Sequence, residues 1–151
     1  MTTRRHLLAA FGAAPLAMGF GRAVRAATAP VYAEDGIAID GTDPVAYFTE
    51  GRPVAGLSAL EVTWQGAIWR FASVENRERF EADPAAYAPQ YGGWCAWAVA
   101  EGYTASTVPE AWKIVDGKLY LNYSRGVQRR WERDIPGNIA RADANWPGVL
   151  G

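Results

Sequence analysis

One cysteine, Cys95, and one histidine, His6, are all that this chain of 151 residues offers for disulfide or soft-metal cross-linking. A lone cysteine closes no internal disulfide, and tetrahedral zinc wants three or four thiolate or imidazole ligands. The fold must therefore rest on packing. The chain is well supplied for it, with seven Trp, seven Tyr and five Phe, and half of all residues hydrophobic.

The first 26 residues, MTTRRHLLAAFGAAPLAMGFGRAVRA, differ from the rest. Arg4-Arg5 leads into an apolar run from Leu7 to Phe20, and Val24-Arg25-Ala26 fits the small-x-small rule for signal cleavage. The run is about 14 residues long, short of the roughly 20 that a spanning helix requires. Thr3-Arg4-Arg5 followed by Leu7-Leu8 resembles a twin-arginine export signal. The expected location is periplasmic or secreted, with the mature chain starting at Ala27. An uncleaved anchor is the alternative.

Cleavage changes the chemistry on offer. Loss of Arg4, Arg5, Arg22 and Arg25 lowers Lys plus Arg from 15 to 11 against 16 Asp plus Glu, a net charge of −5. His6, Met1 and Met18 leave as well, so the mature chain has no imidazole and no thioether. Histidine-based acid–base chemistry is excluded, and so is a nucleic-acid partner that needs a strong basic field. No membrane span is expected in residues 27–151.

Residues 27–35 read as a loose leader, and Gly36–Ile39 as a short strand. Asp43-Pro44 starts a helical turn that Glu50-Gly51-Arg52-Pro53 ends. Leu60–Trp64 and Ala67–Ala72 alternate around Gln65-Gly66 and predict a hairpin. Ser73 caps a helix from Val74 to Phe80, which Asp83-Pro84 interrupts before a further turn at Ala85–Tyr87. Trp112–Val115 and Lys118–Asn122 flank Asp116-Gly117, a second hairpin. Apolar steps of three and four residues predict helices over Arg125–Asp134 and Ile135–Asn145. The expected architecture is one small α+β domain of hairpins and short helices over residues 27–151.

Three segments in order carry a resemblance: Asp43-Pro44-Val45-Ala46-Tyr47-Phe48, then GAIWRFAS from Gly66 to Ser73, then Phe80-Glu81-Ala82-Asp83-Pro84-Ala85-Ala86-Tyr87. Together they resemble the YHS domain. The core match spans 43–87, and 88–151, with YGGWCAWAVAEGY and VDGKLYLNYS, looks like the extension of the family's exported branch. The resemblance implies a treble-clef-like YHS core followed by a C-terminal hairpin and helices. It also implies cysteine ligands after Asp-Pro-Val, before the serine that ends the hairpin, and four residues beyond. Those places hold Ala46, Ala72 and Asn76 here, so the soft-metal set is gone.

Tyr91-Gly92-Gly93-Trp94-Cys95-Ala96-Trp97 holds the remaining candidate thiol. Cys95 is either a reactive or metal-binding sulfur or a small buried hydrophobe among aromatics. Tyr91, Gly92, Gly93, Trp94 and Trp97, with Asp43 and Tyr47, are the candidate pocket. The bland alternative is that the rings fill a core lacking metal and disulfide. Asp40 and Asp43 could hold a hard cation, although Asp43 fits a helix cap better. Asp116 reads as a turn residue, and Arg129-Arg130-x-x-Arg133 as a solvated helix face. No phosphate loop, dinucleotide fingerprint or Gly-x-Ser-x-Gly occurs.

The functional expectation is an exported YHS-domain protein that binds a small molecule, a soft metal ion or a partner, leaning away from catalysis. A thiol-dependent redox enzyme using Cys95 and a structural interaction module are the alternatives. No cofactor is predicted. If metal is handled, it is copper(I), which accepts two soft ligands, bridged by Cys95 across a homodimer.

Overall fold

Three two-residue turns set the strand pairing. The computed structural model describes residues 14–16, 19, 21 and 26–151. The export-signal reading over 1–26 rests on residues that lie mostly outside that description. Asp35-Gly36, Gln65-Gly66 and Asp116-Gly117 each place two consecutive residues at positive φ. That conformation matches the right-handed twist of the strands it joins.

The first turn joins β1 (Ala33–Glu34) to β2 (Ile37–Ala38), and a 3-10 turn over Ile39–Gly41 follows. Helix α1 is one turn, Ala46–Thr49. Then come β3 (Leu57–Trp64) and β4 (Ala67–Phe71), paired antiparallel with Val62 opposite Trp69. Strand β2 joins β4 in parallel, which completes a four-stranded sheet in the order β1-β2-β4-β3. The expected leader at 27–35 is thus partly strand. Val31 and Tyr32 are buried, because the Asp35-Gly36 turn folds that segment back onto the sheet.

Ser73 caps α2 (Val74–Ala82) by accepting from the Asn76 N–H, and Pro84 starts α3 (Pro84–Tyr87). A short helix not foreseen from the sequence, α4, runs Ala96–Glu101 directly after the cysteine and ends at Gly102 in the left-handed region. Strands β5 (Trp112–Val115) and β6 (Lys118–Leu121) form a separate two-stranded sheet. Helix α5 (Arg125–Trp131) tightens to a 3-10 turn over Glu132–Asp134, and α6 (Ile135–Asn145) follows. The molecule is a small α+β domain with two sheets and several short helices.

Alternation along β6 divides the core. Leu119 and Leu121 join Tyr47, Trp69, Phe71 and Phe80 in one cluster. Tyr120 points the other way, into a second cluster with Tyr91, Val99 and Trp131. Phe80 lies 5.4 Å from the Trp69 ring and 5.1 Å from Phe71, so α2 closes over the hairpin's apolar face. Each such ring, fully buried, contributes roughly 1.5–3 kcal/mol.

Candidate functional site

Gly92 and Gly93 set the approach to the cysteine. Both have positive φ. A Cβ on Gly92 would overlap the Pro30 carbonyl oxygen, and one on Gly93 would press on the Ile39 side chain. The bare backbone lets residues 30–32 lie against this turn, where the Tyr32 N–H donates to the Gly92 carbonyl at 2.9 Å. The two glycines therefore dock the N-terminal segment.

Cys95 stands at the N-terminal end of α4 and is 1 % exposed. Its sulfur accepts from the Tyr123 N–H at 3.3 Å and donates to Asn122 Oδ1 at 3.6 Å. The same Oδ1 accepts the Trp97 N–H at 3.1 Å, which fixes the amide's orientation. Asn122 Nδ2 is buried with no partner among the described residues. Burial pushes the Cys95 thiol up from its ordinary pKa, against the opposing pull of the Ala98, Tyr123 and Trp97 N–H groups.

Cys95 also borders a cavity of about 280 Å³. Its walls are Trp97 from α4, Tyr103 and Ala105 after that helix, Tyr123 after β6, and Val127 and Arg130 from α5. Tyr103 is 51 % exposed and Tyr123 54 %, the two aromatic side chains among the exposed large hydrophobics of the described residues. The Arg130 guanidinium carbon sits 5.7 Å from the Trp97 ring centre.

Of the candidate pocket residues, only Trp97 shares this cavity with Cys95. Tyr91 lies in the second core cluster and donates to Asp143 at 2.9 Å. Trp94 leans on Tyr32 and donates to the Ala29 carbonyl, beside a different hollow of about 450 Å³ that reaches Gln65. Tyr47 is buried against Trp112 and donates to the Pro109 carbonyl at 2.8 Å. Burial, then the charges of Glu110 and Asp40, push its phenol up.

Asp43 forms a separate polar knot and is fully buried. Its Oδ1 accepts from the Val45 and Ala46 N–H groups, which caps the start of α1. Its Oδ2 accepts from the Ala72 N–H and from Asn76 Nδ2, both at 2.8 Å. Ala46, Ala72 and Asn76, apart in sequence, thus meet at one carboxylate. Asp40 instead bonds the Tyr32 hydroxyl at 3.1 Å.

Sequence reasoning missed Tyr103, Asn122, Tyr123 and Val127, and read Arg130 as solvated. One signal was available: Asn122 follows Tyr120 by two on an alternating strand, so it faces the same way. No group of three or more His, Cys, Asp or Glu able to hold a metal occurs among the described residues. No helix among them is long and apolar enough to cross a membrane. No protein-family model matches the chain, and no curated protein and no solved structure matches it.

Proposed function

We propose that this chain is an exported, YHS-like binding protein that takes a small apolar molecule into the cavity above Cys95 and does no chemistry on it. The observation that carries this reading is the cavity itself. Two half-exposed tyrosines, Trp97 and Val127 surround about 280 Å³ on a protein whose other large rings are mostly in its core. Ligand sites have this character, apolar and aromatic with few polar groups.

The convergence of Ala46, Ala72 and Asn76 on Asp43 supports the family part of the reading. Positions where the resemblance implies ligands lie together, and here a carboxylate with four N–H donors fills their centre. Export through a folded-protein route rests on Arg4-Arg5, with Ala27 as the expected mature N-terminus.

The redox alternative needs an accessible, acidified thiol. Cys95 is 1 % exposed and its thiol is pushed up, which weighs against it. Copper(I) bridged across a homodimer meets the same obstacle, since a second chain's thiolate must reach this sulfur.

Phenylacetamide, a neutral aromatic probe, tests the binding reading by titration into isotope-labelled protein. The expected result is saturable amide and indole shifts concentrated at Trp97, Tyr103, Tyr123 and Val127. Val127→Trp, which fills the cavity, should abolish them while the rest of the spectrum keeps its dispersion. Absent or scattered shifts would overturn the reading.

A further inference from the structure

Among the described residues, Arg130 is the one charged side chain that lines the cavity. No acidic residue lines it, and Arg130 forms no ion pair and no side-chain hydrogen bond among the described residues. Its guanidinium instead rests against Trp97 at the cavity wall. A cation–π contact of this kind uses none of the guanidinium's N–H donors. Tyr103 and Tyr123 add hydroxyls that take part in no side-chain hydrogen bond among the described residues.

We infer that the ligand is a small apolar monoanion, a carboxylate on an aromatic or aliphatic body, with its carboxylate held by Arg130 and its body between Trp97, Tyr123 and Val127. This rests on the cavity reading and adds the ligand's charge. Guanidinium and carboxylate are matched in geometry, forming two parallel N–H···O bonds. The cavity's size accommodates a single ring with a short side chain. The mature chain's net negative charge opposes anions in general, so a preference for one must come from this local cation.

The experiment compares phenylacetate with phenylacetamide, nearly equal in shape and different in charge, in wild type, Arg130→Gln and Arg129→Gln. Arg129 is the neighbouring cation on α5 and lines a different groove. In wild type, phenylacetate should bind about two- to fivefold more tightly than phenylacetamide at low salt, the scale of a partly exposed ion pair. Arg130→Gln should erase that preference, and Arg129→Gln should preserve most of it. Equal binding of the two probes by wild type overturns the anion inference and leaves the cavity reading standing. So does a preference that survives Arg130→Gln or is lost equally in Arg129→Gln. Binding of neither probe overturns both.

Discussion

Asn76 Nδ2 donates to Oδ2 of Asp43 at 2.8 Å across 33 positions of sequence, and it ties the start of α2 to a fully buried carboxylate. The same oxygen accepts the Ala72 N–H, at the end of the hairpin, while Oδ1 holds the first turn of α1. One side chain thus fastens three elements, with four donors to one carboxylate. An uncompensated buried charge would be costly, and this one is compensated on both oxygens.

Asp43→Ala leaves those four donors without their acceptor, two of them buried and two part-buried. Each buried donor left unpaired costs about 1–3 kcal/mol, so a loss of about 3 kcal/mol or more is expected in urea unfolding. Asn76→Ala, which removes one donor, should cost about 1 kcal/mol. A loss under about 1 kcal/mol for Asp43→Ala would show that the knot does not hold the three elements together.

Phe80 is fully buried against Trp64, Trp69 and Phe71. Phe80→Ala should cost about 3–5 kcal/mol, the range for emptying an aromatic core site. Equilibrium denaturation measures it, and a value below about 1 kcal/mol is incompatible with α2 closing the sheet face.

Gly92 combines a φ of +62° with contact against Pro30. Gly92→Ala adds the cost of a left-handed alanine, about 1–2 kcal/mol, to the displacement of residues 30–32. Those residues should become cleavable by a broad-specificity protease well before the rest of the chain. A cleavage pattern unchanged from wild type would mean that this segment is not docked there.

Cys95 should resist alkylation in the native protein and react rapidly once unfolded, because its sulfur is buried and its thiol is pushed up. The shift has a stability consequence with a definite sign. A thiol or phenol whose folded pKa is raised keeps its proton in the folded state when the unfolded chain has lost it. The stability it contributes is complete below the unfolded value and is lost as pH rises toward the folded one. A thiol ordinarily titrates near 9.0 and a phenol near 10.0, and Cys95, Tyr32, Tyr47 and Tyr91 are all raised from those values, by burial first. Unfolding free energy should therefore fall with rising pH above about 9, and Cys95→Ala should shift the onset toward 10. Alkaline stability flat through pH 11 would contradict the burial of these groups.

Local chemistry was legible in the residues. Gln65-Gly66 and Asp116-Gly117 announce their hairpins, Ser73 announces α2, and alternation puts Trp69 and Phe71 on one face, because each signal acts within a few residues. The Asp35-Gly36 turn carried the same signal but joins strands of two residues each, too short to show a period. By itself the sequence determined an aromatic core without disulfide or closed zinc site, the two long hairpins and the α+β class. Tertiary structure alone decided what Cys95 touches and what reaches the second oxygen of Asp43, whose first oxygen makes the helix cap expected from the sequence. The sulfur's partners, Asn122 and Tyr123, lie 27 and 28 positions away, and Ala72 and Asn76 reach Asp43 from 29 and 33. No helical or strand period relates residues that far apart. The sulfur's contacts are set by how α4 packs against the end of β6, and the carboxylate's by how α1, β4 and α2 meet; a cavity exists only where packed surfaces such as those of α4 and α5 fail to fill space.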